Sequence, residues 1–393
     1  MSMRKKKRNF NTRAIHAGQA PDPLTGAIIA PVYTASTYVQ EGIGKNKGYI
    51  YSRTSNPTRL TLEACLADLE GAQAAFAFPS GLAAAATVLE LMDAGSHLVV
   101  HDDLYGGIYR LFADVRSRSS GHQVSFVDFS DLDSVRKSIK EETKMLWFET
   151  PSNPLLQIVD LEKIAVLSKS TNAISVCDNT FASPYCQRPL EHGIDIVVHS
   201  ATKFLNGHSD LLAGVAAISG YAPEGVVDQL RFLQNALGSV LSPNDCAILL
   251  RSLKTLPVRM ERHFHNAECI ANFLFENQSR LGIESINYPG LKDHPGHEIA
   301  KSQMHGYGSI ITIVVDGGLK RADAVLQRCS LFHFAVSLGG VESLIQHPSS
   351  MTHAAIPRKR REEIGLVDGL IRLSVGIESM DDLIVDLEQA LQY

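Results

Sequence analysis

Short apolar runs alternate with stretches of helical spacing across residues 60–220. The runs have strand length and are rich in β-branched and aromatic side chains, whereas the stretches between them place apolar residues three and four positions apart. This alternation predicts an α/β fold with a mostly parallel sheet and helices on both faces. The predicted strands are residues 74–78, 98–100, 124–127, 145–148, 174–177 and 194–198, and the predicted helices are residues 62–69, 82–92, 108–115, 132–140 and 161–168.

The two ends of the chain have other patterns. Residues 1–60 show little periodicity and are punctuated by Gly, Pro and Thr, so we expect an extended arm. Residues 61–253 form the predicted large domain, and residues 254–393 a smaller α/β domain. Helical spacing covers residues 226–237, 244–277 with a break near Pro257, 321–328 and 380–391, and strands are predicted at residues 309–315, 332–336 and 370–375.

Composition excludes several classes of protein. The 393 residues are 45% hydrophobic and 20% charged with a net charge of −5, which gives no basic excess for nucleic acid. No apolar run reaches membrane-spanning length. The basic residues 4–8 are not followed by an apolar core, so we expect a disordered arm instead of a secretory signal. Six scattered cysteines without a Cys-x-x-Cys motif indicate reduced thiols and a cytoplasmic protein.

The most informative polar residue is Lys203, which follows the apolar run at residues 194–198. An ammonium resists desolvation, so a lysine at the end of a buried strand is unusual. Partial burial lowers the pKa of the amine and makes it a nucleophile for an aldehyde. Ser200 and Thr202 add hydroxyls that suit a phosphate. Taken alone, this short motif more often marks a surface lysine in a turn.

Three further stretches favour the nucleophile. Pyridoxal phosphate needs a lysine, a carboxylate at its ring nitrogen, a phosphate cradle and usually an aromatic side chain over the ring. Each candidate follows a predicted strand, and ligands of open α/β sheets gather beyond the carboxyl ends of strands. The candidates are Asp178 for the carboxylate, Ser80, Gly81 and Leu82 at the start of an Ala-rich helix for the cradle, and Tyr105 for the aromatic.

Two histidines stand apart from this set. His294 and His297 flank a Pro-Gly pair, and a metal site would need a third or fourth ligand that the sequence does not supply. We therefore expect a solvated loop and no metal.

From about Thr12 to the C-terminus the chain resembles the Cys/Met-metabolism family of pyridoxal-phosphate enzymes. This family includes cystathionine lyases, cystathionine γ-synthase and methionine γ-lyase. The resemblance is carried by the motifs YSRTSNPT (residues 51–58), DNT (178–180), SATK (200–203), NGHSD (206–210) and SLGG (337–340).

The resemblance implies the type I pyridoxal-phosphate architecture and a role for each motif. Lys203 would bind the cofactor covalently and act as the base, Asp178 would hold its ring nitrogen, and Tyr105 would stack on its ring. The phosphate would be held by Ser80, Gly81, Leu82, Ser200 and Thr202. Tyr51 and Arg53 would reach the site of a neighbouring subunit, in a homotetramer built as a dimer of dimers. The substrate, an amino acid, would contact Arg372, Ser337, Leu338 and Asn153. Without the resemblance, a single arginine in the apolar run around Arg372 would indicate an outward-facing edge residue, and Asn153 an ordinary turn.

Within the family, residues 183–190 and 231–235 are most similar to cystathionine γ-lyases, so the resemblance favours that activity. Gly107 stands where methionine γ-lyases usually have cysteine, which argues against methionine. Val336 stands where cystathionine γ-lyases and γ-synthases usually have glutamate, which removes a polar contact to the distal end of cystathionine. Cystathionine β-lyase is the next candidate, followed by cystathionine γ-synthase and methionine γ-lyase.

Two other classes stay open on the residues alone. A pyridoxal-phosphate aminotransferase would share the lysine, the aspartate and often the arginine, but would transfer the amino group to a keto acid. A binding protein without activity would need no lysine placed for covalent attachment.

Overall fold

A computed structural model of the protein describes residues 8–354 and 356–392, so most of the basic start, residues 1–7, lies outside the described part. The strands are β1 (Ala74–Phe78), β2 (His97–His101), β3 (Gln123–Val127), β4 (Thr143–Glu149), β5 (Ile174–Asp178), β6 (Ile196–Ser200), β7 (Gly214–Ile218), β8 (Ile283–Asn287), β9 (Ile310–Val315), β10 (His333–Phe334), β11 (Leu344–Gln346) and β12 (Leu370–Ser374).

The α-helices are α1 (Phe10–His16), α2 (Pro57–Glu70), α3 (Gly81–Leu89), α4 (Gly106–Arg110), α5 (Ser117–Ser119), α6 (Leu132–Ser138), α7 (Leu161–Thr171), α8 (Ser183–Cys186), α9 (Val226–Leu237), α10 (Pro243–Leu253), α11 (Leu256–Glu276), α12 (Gln278–Leu281), α13 (His297–Gln303), α14 (Gly318–Arg328), α15 (Arg358–Glu363) and α16 (Met380–Leu391). A π-helix covers Leu111–Arg116, and 3₁₀ turns cover Pro189–His192 and Pro348–Ser350.

The larger sheet has the strand order β1-β7-β6-β5-β4-β2-β3. All neighbours run parallel except β7, which is antiparallel to both β1 and β6. The predicted mostly parallel α/β fold is therefore confirmed. Because β7 reverses direction between them, β1 points the same way as β2, β4, β5 and β6. The carboxyl ends of these strands consequently meet at one edge of the sheet.

A smaller sheet forms from the C-terminal part of the chain, in the order β10-β11-β12-β9-β8. It is antiparallel apart from the β10–β11 pair. Apolar residues of α11, α14 and α16 pack with this sheet in a core of its own, which includes Ile270, Val325 and Leu387. The predicted break in the long helical stretch occurs between α10 and α11, with Pro257 in the first turn of α11.

Several element boundaries differ from the predictions. The helix predicted at residues 82–92 ends at Leu89 because the next three N–H groups bond three residues back instead of four. The strand predicted at residues 332–336 shrinks to His333–Phe334, and the helix predicted at residues 108–115 changes into the π-helix after Arg110.

Residues 17–56 have little regular structure, as the prediction of an extended arm requires. Residues 10–16, however, form a helix. The helix α1 was not predicted; its Arg13 pairs with Asp68 at 2.6 Å and its Phe10 ring packs edge-on against Tyr185. Beyond α1 the arm is largely exposed, with Leu24 and Val39 almost fully open to solvent. In the described part of the chain, no helix has both the length and the apolarity for crossing a membrane.

Candidate active site

A cavity of about 400 Å³ opens at the carboxyl edge of the larger sheet. It collects all the predicted site residues except Tyr51 and Arg53, namely Ser80, Gly81, Leu82, Tyr105, Asn153, Asp178, Ser200, Thr202, Lys203, Ser337, Leu338 and Arg372. The larger sheet supplies most of these residues from its strand ends, whereas Arg372 comes from β12 of the smaller sheet. The cavity therefore lies where the two sheets meet.

Lys203 lies in the turn after β6, and its amine donates a hydrogen bond to the hydroxyl of Ser337 at 2.5 Å. Burial, followed by the positive charge of Arg372, lowers the pKa of Lys203 to about 8. The surroundings thus favour the neutral, nucleophilic amine. Ser337 holds a φ of +99°, a backbone shape that is strained for a residue other than glycine and that clusters at functional sites.

Asp178 ends β5 and places a carboxyl in the cavity. One of its oxygens accepts hydrogen bonds from the N–H of Thr180, at 3.0 Å, and from the Thr180 hydroxyl. Burial raises the pKa of Asp178, and the two Thr180 bonds oppose that rise. The Thr180 hydroxyl also accepts the N–H of Ser200 at 2.9 Å, which ties the ends of β5 and β6 together. Both bonds from Thr180 use the same carboxyl oxygen, so the second oxygen of Asp178 can accept a hydrogen bond from a ligand.

The predicted phosphate cradle lies at the start of α3. Ser80 caps the helix by accepting the N–H of Ala83 at 3.1 Å. A Cβ added at Gly81 would lie 2.9 Å from the Cα of Ser200, so only glycine lets the helix start approach β6 this closely. The first-turn N–H groups of a helix carry its positive dipole end, which attracts a phosphate. The hydroxyl of Thr202, which lines the same region, is bonded to the backbone of Ala213.

Arg372 is buried, with only 2% of its surface exposed, and β12 lies inside the smaller sheet between β11 and β9. An outward-facing edge position is therefore wrong. Its guanidinium donates to the side-chain oxygen of Asn153 and to the carbonyl of Ser337, both at 2.7 Å. Burial lowers the pKa of Arg372 to about 9. Its Nε has no hydrogen-bond partner among the described residues.

Tyr105 stands at the start of α4, lines the cavity and is 38% exposed. Its N–H donates to a carboxyl oxygen of Glu149 at 3.1 Å. A Cβ built at Gly107 would collide with the Tyr105 ring, so a cysteine there would displace the ring.

Glu149 was not assigned a role from the sequence, although it ends β4 next to Asp178 on β5. Burial, followed by the neighbouring Asp178 carboxyl, raises the pKa of Glu149 well above its usual value. Its position at the end of a predicted strand was the sequence signal by which it could have been found. Thr180, Phe181 and Thr352 also line the cavity without having been predicted, and the Phe181 ring centre lies 5.9 Å from the Arg372 guanidinium carbon.

Tyr51 and Arg53 lie outside the cavity of their own chain. Arg53 donates to the backbone carbonyl of Asn235 at 2.8 Å, and its guanidinium lies 5.8 Å from the centre of the Tyr51 ring. Tyr51 is nearly half exposed. A role for either residue in the site would therefore require a second copy of the chain.

The loop with His294 and His297 is partly exposed, as predicted, but neither histidine side chain is freely solvated. His294 accepts the N–H of Gly296 at 3.0 Å, and burial lowers its pKa to about 4. His297 bonds to the carbonyl of Pro289 at 2.8 Å and stacks on Tyr307. Within residues 8–354 and 356–392, no group of three or more His, Cys, Asp or Glu side chains is arranged to hold a metal.

The cavity fits pyridoxal phosphate in three respects. The start of α3 lines the cavity and can offer first-turn N–H groups to a phosphate, an oxygen of Asp178 can pair with a protonated ring nitrogen, and the amine of Lys203 has a lowered pKa. The buried fork of Arg372 adds a partner for a carboxylate.

Comparison with known proteins agrees with this geometry. The family described as Cys/Met metabolism PLP-dependent enzyme matches residues 11–392. A cystathionine β-lyase of Coxiella burnetii is 55% identical over 98% of both chains, and a cystathionine γ-lyase of Bacillus subtilis is 47% identical over 97% of this chain and 98% of the relative. The crystal structure of a cystathionine γ-lyase from Lactobacillus plantarum, complexed with L-serine, has a TM-score of 0.93 and 44% identity, and the match covers 98% of both chains. The chain therefore belongs to the family of Cys/Met metabolism enzymes that depend on pyridoxal phosphate.

Proposed function

We propose that the protein is a carbon–sulfur lyase that cleaves cystathionine. The observation that carries the proposal is the position of the Lys203 amine, which shares one cavity with the carboxyl of Asp178 and the guanidinium of Arg372. Relatives that are 55% and 47% identical to this chain are named cystathionine lyases.

The residues that would hold the cofactor lie on the larger-sheet side. Lys203 would bind its aldehyde carbon, Asp178 its ring nitrogen, and Tyr105 the face of its ring, while the start of α3 with Ser200 and Thr202 would hold its phosphate. Bound there, pyridoxal phosphate supplies an electron sink that acidifies the Cα–H bond of the amino acid.

The chain itself supplies the base and the anchor. When it is not joined to the cofactor, the amine of Lys203 would take the Cα proton, and its lowered pKa favours the neutral form that accepts a proton. Arg372 would bind the substrate carboxylate in fork geometry. Asn153 keeps its side-chain N–H groups for the ligand, because its oxygen is already taken by Arg372.

We further propose that both carbon–sulfur bonds of cystathionine are cleaved. Cystathionine carries an amino-acid group at each end, and the end that binds Arg372 decides between γ- and β-elimination. The cavity mouth carries Val336, which is 58% exposed, and Leu212 nearby is also apolar. Neither side chain can pair with the distal charged groups, so these two described positions of the chain do not fix one orientation of the substrate. The names of the relatives, β-lyase for one and γ-lyase for the other, support this reading.

The arm supports a homotetramer, and we propose that it is built as a dimer of dimers. Its exposed apolar residues, among them Leu24, Ile28 and Val39, would be covered by a second copy, and Tyr51 and Arg53 would then reach that copy's cavity. The six cysteines are all free in the described structure, which supports a cytoplasmic location.

Product analysis with cystathionine tests the activity. Without any added keto acid, γ-cleavage gives cysteine, 2-oxobutyrate and ammonia, and β-cleavage gives homocysteine, pyruvate and ammonia. We expect both sets from the wild type and neither from Lys203→Ala. A single set would contradict the two-orientation proposal, and turnover that depends on an added keto acid would indicate an aminotransferase.

A further inference from the structure

His353 is completely buried between two loops of the cavity, and nothing in the function proposed above uses it. Its Nε2 lies 3.2 Å from the carbonyl oxygen of Leu104 and 3.0 Å from that of Asn153. Its Nδ1 lies 2.9 Å from the hydroxyl of Thr352. Every ring nitrogen of this side chain therefore has a partner.

These partners determine which nitrogen carries the proton. Carbonyl oxygens only accept, so Nε2 must donate, and the neutral ring then leaves Nδ1 to accept from the Thr352 hydroxyl. The Thr352 hydroxyl in turn accepts from the side chain of Gln346 at 3.2 Å. Burial, followed by the charge of Arg372, lowers the pKa of His353 to about 4, so the ring is neutral at neutral pH.

The two carbonyls belong to the loops that present the site residues. Leu104 immediately precedes Tyr105, and Asn153 is itself the partner of Arg372. The two loops lie far apart in the sequence and follow different strands, β2 and β4. One N–H group of His353 thus joins the loop that leads to Tyr105 with the loop that carries Asn153, the partner of Arg372.

The backbone next to His353 is also pressed onto the site. Thr352 lines the cavity, and a Cβ added at Gly106 would collide with its carbonyl oxygen. Gly106 therefore permits residues 352–353 to pack directly on the start of α4.

We propose that His353 is a positioning residue that holds Tyr105 and Asn153 in their catalytic places by donating one hydrogen bond to both loops. The expected effect on turnover rests on the proposed function, whereas the positioning of the two loops can be tested without it. The competing explanation is that the imidazole only fills space in the core.

Three variants separate donation from packing. His353→Phe keeps an aromatic ring of similar size and removes the donor, whereas His353→Gln places an amide N–H near the position of Nε2. His353→Asn is too short to reach both carbonyls. His122→Phe is the control, because it removes another buried imidazole that does not line the cavity.

Hydrogen–deuterium exchange of the holoenzyme gives a readout that does not depend on turnover. We expect the peptides that contain Tyr105 and Asn153 to exchange roughly tenfold faster in His353→Phe and His353→Asn, while His353→Gln and the control stay near the wild type. The inference is overturned if exchange in His353→Phe is unchanged, or if His353→Gln behaves like His353→Phe. Should His353→Phe fail to fold, the comparison of His353→Asn with His353→Gln decides in the same way.

Kinetics with cystathionine give the second readout. Looser substrate-binding loops predict a KM about tenfold higher in His353→Phe with a smaller change in kcat, and recovery in His353→Gln. A KM that matches the wild type in His353→Phe would overturn the inference. If the wild type gives no product at all, the proposed function fails, and the exchange data still decide whether His353 holds the loops.

Discussion

At the residue scale, the lowered pKa of Lys203 sets a pH dependence for cofactor binding. Its pKa falls from 10.5 to about 8, so roughly a tenth of the amine is neutral at pH 7. Because only the neutral amine attacks an aldehyde, the rate of covalent attachment should rise with pH and level off just above pH 8. Stopped-flow absorbance of the cofactor, added to protein that has been stripped of it, measures this rate. A rate that keeps rising in parallel with an ordinary lysine up to pH 10 would contradict the assignment, and Lys203→Arg is the blank.

Arg372 gives a second residue-scale prediction. A lysine at this position keeps the charge but loses the fork that bonds to Asn153 and Ser337. Since a charged hydrogen bond is worth about 1.5–3 kcal/mol, Arg372→Lys should raise the KM for the amino acid roughly ten- to hundredfold. The bound cofactor should keep its visible spectrum. Unchanged turnover at low substrate concentration would rule out the proposed contact with the carboxylate.

The sequence pattern identified site residues at strand ends. It did not identify residues whose role depends on contacts with distant parts of the chain. Lys203 and Asp178 were predicted to share a site because each follows a buried apolar run, and the structure brings them into one cavity. His353 could not be found in this way, because its partners lie 200 and 249 positions away in the chain. The part played by each residue in catalysis stays a prediction.

At the element scale, the start of α3 lies too close to β6 for a side chain at residue 81. A side chain at residue 81 would press on the backbone of Ser200, from which a Cβ is 2.9 Å away. Gly81→Val should therefore lower the free energy of unfolding by about 1–3 kcal/mol and weaken binding of the cofactor, because the helix start must move away from β6. Chemical denaturation and cofactor titration measure the two effects.

A matched control is available at Gly220. A Cβ there would meet nothing within 4 Å. Gly220→Val should accordingly leave cofactor affinity unchanged. Equal losses in both variants would show that the effect of Gly81→Val does not come from its contact with Ser200.

Strands were predicted better than helix ends, for a physical reason. Strands such as β4 and β5 are buried on both faces and read as continuous apolar runs. By contrast, β7 consists of Gly, Val, Ala, Ala and Ile, and so few β-branched residues gave no strand signal. Helix α1 escaped because seven residues are too few to show a period.

At the scale of the whole molecule, the arm predicts that activity can be restored between two defective chains. Arg53→Ala would damage the neighbour's site, and Lys203→Ala would damage its own. In a mixed dimer one site would keep both groups, so equal mixing should restore about a quarter of the wild-type activity. The measurement is turnover after the two variants are unfolded and refolded together.

The control for this experiment is each variant refolded alone, which should stay nearly inactive at limiting cofactor. If Arg53 served the cavity of its own chain, no mixed dimer would contain an intact site, and mixing would restore nothing. A monomer in sedimentation analysis would also exclude the sharing of sites.

Because the cavity lies where the two sheets meet, selection for substrate specificity and selection for cofactor binding would act on different sheets. The strand ends that would hold the cofactor belong to the larger sheet, while Arg372, the proposed partner of the substrate carboxylate, is carried by β12 of the smaller one. Mutations around β12 would thus alter which amino acid binds without changing the binding of the cofactor. During evolution, substrate specificity would then change through the smaller sheet while the larger sheet keeps the cofactor.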